Sequence, residues 1–172
     1  MIDNRLTTRK RRICYINSDP KTLETSVAFF EKRLKLLSDL EIINLPSLEK
    51  IAFSACDLII INCAFLSDEA FMQWFPKTSE KITKQLNISV PTIFLARIDF
   101  AILDKMWQSA YQSNWYFDII HPEHLESLPI RVATLLRIHD HLHEMQRYEL
   151  EIGLLKKEVV DIQQKLEKFL AR

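Results

Sequence analysis

The sequence predicts an α/β protein, a five-stranded parallel sheet with helices between its strands, followed by one long C-terminal helix. Three observations carry this reading. Short apolar runs recur near residues 13–16, 42–43, 58–61, 93–96 and 117–120. Segments of helical length separate them. From Pro129 onward nothing breaks a helix except a single glycine, Gly153.

The first, third and fourth runs (ICYI, LIII and IFLA) are continuous rather than alternating, as strands covered on both faces require. After the first, Asp19 and Pro20 open a helix, an N-cap followed by proline at the first helical position. After the third, Ser67 starts another, with Asp68 and Glu69 at its positive end. Pro76 is expected to divide that helix or to end its first part. Residues 99–112 read as the helix after the fourth strand. Strands alternating with helices give right-handed crossovers and a doubly wound sheet.

The last helix is expected from Pro129, capped by Ser127 or Leu128, to about Leu170. At 1.5 Å per residue it spans on the order of 60 Å, more than a domain of this size can cover. Val132, Leu135, Leu136 and Leu142 suit packing on the sheet. From Met145 the phase changes to a heptad. Met145, Ile152, Val159 and Leu166 take position a, and Tyr148, Leu155, Ile162 and Phe169 take position d. These eight apolar residues predict a coiled-coil homodimer seam. In a parallel pair Glu151 meets Lys156 favourably and Glu144 meets Glu149 unfavourably, so charge does not decide orientation. Parallel is preferred because a domain at one end packs more simply that way. The chain thus divides into a basic N-terminal tail (1–10), a globular domain (11–140) and a coiled-coil extension (141–172).

Composition narrows the function. Average glycine usage of about 7% would give roughly a dozen residues, and this chain of 172 has one. Dinucleotide loops, phosphate-cradling nucleotide loops and the nucleophile elbow all need glycines at fixed spacing, so none is possible here. Lys+Arg and Asp+Glu number 23 each, so no overall field favours nucleic acid or an anionic membrane. The cluster of Arg5, Arg9, Lys10, Arg11 and Arg12 reads as a solvated tail. No run approaches 18 apolar residues, and no apolar core of a secretory signal opens the chain. Cys14, Cys56 and Cys63 form no C-x-x-C pair and leave one over, which suits reduced thiols in the cytoplasm. No cofactor or metal is expected.

In an open α/β sheet the ligand crevice lies beyond the carboxyl ends of the strands, where strand order reverses. For the flavodoxin-like order 2-1-3-4-5 this means the ends of strands one and three. Those ends carry Asn17, Ser18 and Asp19, and Asn62 with Cys63. Strands four and five end at Ala96-Arg97 and His121-Pro122.

Residues 12–20 (RICYINSDP) resemble the first strand and acidic pocket of response-regulator receiver domains, the CheY-like family. Residues 56–62 (CDLIIIN) resemble the strand that ends at their phosphoacceptor aspartate. Residues 91–97 (PTIFLAR) resemble the strand ending in their switch hydroxyl, and 118–122 (DIIHP) the segment ending in Lys-Pro. Residues 125–137 are similar to their last helix, so the resemblance covers about 11–140. The chemically essential positions depart from the pattern. The pocket acids map to Asn17 and Ser18, the phosphoacceptor to Asn62, the switch hydroxyl to Ala96, the lysine to His121 and the switch aromatic to Asp118. Only Asp19 remains among the nearby acids.

The consequence holds without the family. Magnesium takes one or two carboxylates plus phosphate oxygens and water, and a single helix-capping acid is a poor start. An amide at 62 is no carboxylate nucleophile for an acyl phosphate. Ala96 has no hydroxyl to donate to a phosphoryl group.

Other candidates are weaker. All five histidines fall between 121 and 143, and His139 and His143 share a helix face, but no third metal ligand is implied and a solvated surface is expected. Cys63 reads as a structural thiol, and Trp74, Phe75, Trp107, Trp115, Tyr116 and Phe117 mostly as core. The expected function is a non-enzymatic signalling module, a degenerate receiver that dimerises and binds a signalling partner in a two-component or cyclic-di-GMP type pathway. The resemblance also implies a partner surface on the helix at 99–112, the fifth strand and the last helix. An output domain, if one is joined, would lie beyond Arg172 or on another protein. The alternative expectation is a small-ligand sensor or enzyme using the crevice at the ends of strands one and three.

Overall fold

The computed structural model describes residues 11–17, 32, 34, 40–45, 47, 56–85, 90–99, 103, 104, 106 and 115–170. Its elements are β1 (Arg11–Asn17), β2 (Leu40–Leu45), β3 (Leu58–Asn62), α1 (Asp68–Gln85), β4 (Thr92–Leu95), β5 (Phe117–Ile120), a 3-10 turn (Pro122–Ser127) and α2 (Leu128–Leu170). All four strand pairings are parallel, in the order β2-β1-β3-β4-β5. This is the five-stranded flavodoxin-like sheet that the apolar runs predict. The tail at 1–10, the helix after Asp19 and most of 99–112 lie outside the described residues.

Because side chains alternate across a strand, each continuous apolar run supplies both faces of the sheet. Ile13, Tyr15, Leu58, Ile60, Ile93 and Leu95 point to one core, which Leu128, Val132 and Leu135 of α2 complete. Cys14, Ile16, Ile59, Ile61, Phe94 and Ala96 point to the other, which Phe71, Phe75 and Ile82 of α1 complete. That second core is largely aromatic. Phe94 makes edge-on contacts with Phe71, Trp74, Phe75, Trp115 and Phe117 at centroid separations of 5.4–6.2 Å. The Trp115 indole N–H donates to the Val90 carbonyl at 3.3 Å, so its polar edge is satisfied inside the core.

Helix α1 starts as its sequence indicates. Ser67 Oγ accepts from the Ala70 N–H at 3.3 Å, and Asp68 and Glu69 occupy the first turn. Pro76, however, does not divide it. The helix runs unbroken for 18 residues with Pro76 on its exposed side. The buried stripe Phe71, Phe75, Thr78 and Ile82 continues across the proline, and this packing outweighs the loss of one helical hydrogen bond.

The chain divides into two compact units, residues 1–139 and 140–172. The first contains the sheet and the first turns of α2, whose buried stripe is Leu128, Val132, Leu135 and His139. His139 is therefore not on a solvated surface as its neighbours suggest; it occupies the next position of the sheet-facing stripe. The second unit is the remainder of α2. There the seam residues Met145, Tyr148, Ile152, Leu155, Val159, Ile162, Leu166 and Phe169 are all 51–76% exposed. Among the described residues no helix is long and apolar enough to cross a membrane.

Candidate functional site

The register of the sheet aligns the predicted crevice residues. Asn17 of β1 stands opposite Asn62 of β3, Asn62 opposite Leu95 of β4, and Leu95 opposite Ile120 of β5. Asn17, Asn62, Ala96 and His121 therefore lie along the carboxyl edge of the sheet, at or one residue beyond this row. Ser18 and Asp19, the other two predicted members, lie outside the described residues.

Each described member has a defined chemistry. Asn17 is buried, and its Oδ1 accepts a 3.3 Å hydrogen bond from Asn62 Nδ2. Asn62 Oδ1 in turn accepts from the Ala64 N–H at 3.1 Å, closing the turn that follows β3. The two amides thus bridge β1 and β3 at their ends. Two carboxylates at these positions would repel each other without a cation between them. Ala96 is buried, its N–H donates to the Ile120 carbonyl at 3.1 Å, and its methyl offers nothing to a ligand oxygen. His121 caps the 3-10 turn: its Nδ1 accepts from the Glu123 N–H at 3.3 Å and lies 4.0 Å from the Glu123 carboxylate. Asp118 of β5 accepts two short hydrogen bonds from Arg131 of α2, at 2.7 and 2.6 Å.

Cys63 follows Asn62 and is buried, its Sγ 3.8 Å from the Ile61 carbonyl. Burial pushes its thiol pKa well above the ordinary range, because a thiolate would lose its hydration. It is not an activated nucleophile. Among the described residues no three His, Cys, Asp or Glu side chains gather as a metal site.

The opposite edge of the β1–β3 pair carries two features that sequence reasoning missed. The first corrects the expectation that the cysteines are all reduced thiols. Cys14 and Cys56 form a disulfide, with Cα atoms 6.1 Å apart, inside the span such a bond permits. Their sequence separation of 42 hides the pairing; in the fold both side chains enter the same core, on the α1 face of the sheet. Cys63 alone remains free among the described cysteines. The second feature is Asp57, which is buried beside the bond. Its Oδ2 accepts from the Arg12 N–H at 2.8 Å, its Oδ1 lies 3.7 Å from the Arg11 guanidinium, and its N–H donates to the Arg12 carbonyl at 2.8 Å. Two members of the N-terminal basic cluster, Arg11 and Arg12, thus belong to the sheet: Arg11 pairs with Asp57, and Arg12 lies 3.5 Å from Glu41 of β2.

No family model matches the chain, and no curated protein does either. Among solved structures it is similar to oxidised flavodoxin 1 from Bacillus cereus, with 10% identity and a TM-score of 0.36 over 78% of this chain and 97% of that one. The fold assignment rests on the strand order and register given above.

Proposed function

We propose that this chain is a non-enzymatic signalling module, a receiver-like domain without phosphotransfer chemistry that pairs with a second copy through its C-terminal helix. The observation that carries the reading is the exposed seam. Eight apolar side chains at heptad spacing are each at least half exposed on α2, and a single helix in water gains nothing from such a stripe. The carboxyl edge of the sheet supports the non-catalytic part. Its amide pair, buried methyl and turn-capping histidine hold the edge together and supply no carboxylate to accept a phosphoryl group. Such a module acts by position: the paired helices fix two domains in register, and a partner in a two-component or cyclic-di-GMP type pathway reads or biases the pair.

Mass measurement by light scattering on the full chain tests the pairing. A concentration-dependent dimer is expected, and a monomer at high micromolar concentration refutes it. Incubation with acetyl phosphate and Mg²⁺ tests the chemistry. No hydroxylamine-labile phosphoprotein is expected, and stoichiometric labelling would overturn the reading.

A further inference from the structure

We propose that α2 carries a second contact face, off the seam, through which one seam-paired dimer joins another with the touching helices antiparallel. The proposal rests on the seam pairing above, which supplies the dimers. The face lies on residues 140–168, within the second unit. Two observations point to it: leucines that the seam leaves exposed, and the order of the charges around one of them.

Leu150 and Leu154 are 72% and 63% exposed, against 55% for Leu155 of the seam. They take heptad positions f and c, so a partner at a and d leaves both in water. Four residues apart, they sit side by side on the helix surface. Position c of five successive heptads reads Asp140, Arg147, Leu154, Asp161 and Lys168. Laid antiparallel on a second copy, with Leu154 opposite Leu154, this row sets Arg147 against Asp161 and Asp140 against Lys168, and the two-fold axis repeats each pair. At the flanking g positions Glu144 meets Lys165 favourably and Glu151 meets Glu158 unfavourably, so the c row decides. Parallel and in register, each of its four charges would face its own kind. A parallel shift of one heptad matches signs but sets Leu154 against Arg147 and Asp161, and leaves an open-ended contact where the antiparallel one closes. The Arg147 guanidinium rests 5.4 Å from the Tyr148 ring centroid, a contact that steadies the side chain without neutralising its charge.

The two contacts differ in chemistry. The seam is apolar and persists in salt. The outer face surrounds a few leucines with surface charge pairs, whose attraction is screened as the Debye length falls from about 10 Å at 0.1 M salt to about 3 Å at 1 M. Each dimer carries the outer face once per helix, so assembly continues past the dimer to tetramers and larger species. Protein concentration thus sets the pairing, and ionic strength sets whether pairs join.

The test is a charge swap in the full-length chain, read by sedimentation velocity over a concentration series at about 0.1 M and about 1 M salt. Species larger than the dimer are expected at the lower salt and the dimer alone at the higher. Arg147→Asp and Asp161→Arg each turn two attractive pairs into repulsive ones and should weaken the joining of dimers on the order of tenfold, with the dimer constant unchanged. The double variant Arg147→Asp, Asp161→Arg restores the pairs and should return to within about twofold of the parent. Leu154→Cys should form a disulfide between positions 154 of two chains under mild oxidation. A dimer that never grows at the lower salt, or a double variant no better than the singles, overturns the proposal; neither result touches the seam. Leu155→Ala reads the seam separately, since assembly lost with Asp161→Arg but untouched by Leu155→Ala counts against the seam and not against the outer face. A chain monomeric throughout overturns both.

Discussion

Leu155→Ala gives the sharpest test of the seam, because the structure supplies its own control. Leu155 at heptad position d is 55% exposed, and Leu154 at position c is 63% exposed. Judged by exposure alone the two truncations should be equivalent. Judged by the heptad they should not. Fully burying a leucine side chain contributes about 1.5–3 kcal/mol, so covering the exposed half of Leu155 contributes roughly half of that per chain. Two copies meet in the dimer, and the loss is about 1.5–3 kcal/mol. At about 1.4 kcal/mol per decade, Leu155→Ala should weaken dimerisation about 10- to 100-fold, and Leu154→Ala less than twofold. Alanine is the better helix former, so neither change should reduce helicity. Sedimentation equilibrium across a concentration series measures both constants. Equal effects at 154 and 155 would refute the assigned register, and no effect at either would refute the seam.

Further predictions follow from single residues. Gly153 lies at position b, and a Cβ there meets nothing within 4 Å. Gly153→Ala should therefore stabilise the helix by about 1 kcal/mol, read as a higher helical melting temperature at fixed concentration. A lower one would mean that another chain approaches closely at this point. Asp57→Ala removes the acceptor of the Arg12 N–H and should cost about 1–3 kcal/mol in denaturant unfolding. Asp57→Asn should recover most of that, since an amide oxygen can still accept. Raised by burial, the Cys63 pKa keeps the group a neutral thiol at pH 8, and the thiolate is the reactive form. Native oxidised protein should react with a maleimide far more slowly than a free cysteine does, and one thiol per chain should appear on unfolding in urea.

Much of the fold was legible because its signals are local. The five strands announce themselves as apolar runs, and their continuity reports burial on both faces. The row Asn17, Asn62, Ala96 and His121 was legible for the same reason: each residue terminates a run, and a parallel sheet brings run ends to one edge. What depended on tertiary context was not legible. Pro76 carries the local signal for a break, yet α1 continues through it because Phe71, Phe75, Thr78 and Ile82 pack on both sides of the proline. His139 carries a polar signal, yet its place after Leu128, Val132 and Leu135 sets its burial. The Cys14–Cys56 bond has no sequence spacing to reveal it, since the two cysteines meet only where the fold brings both into one core.

The same contrast bears on what α2 is for. The buried stripe of α2, Leu128, Val132, Leu135 and His139, belongs to the first unit, and the seam from Met145 to Phe169 belongs to the second. A helix built only to cover a sheet would keep one apolar face along its length, because every extra apolar residue elsewhere is exposed to no benefit. Here the buried stripe ends at His139, yet apolar residues continue at a and d positions from Met145 to Phe169 and stay exposed. The two stripes thus serve different surfaces, the first being the sheet. Each apolar side chain of the second remains at least half in water in the single chain. A second copy supplies a matching stripe at the same spacing. That is the physical ground for proposing self-association, rather than ligand chemistry at the carboxyl edge of the sheet, as the role of α2.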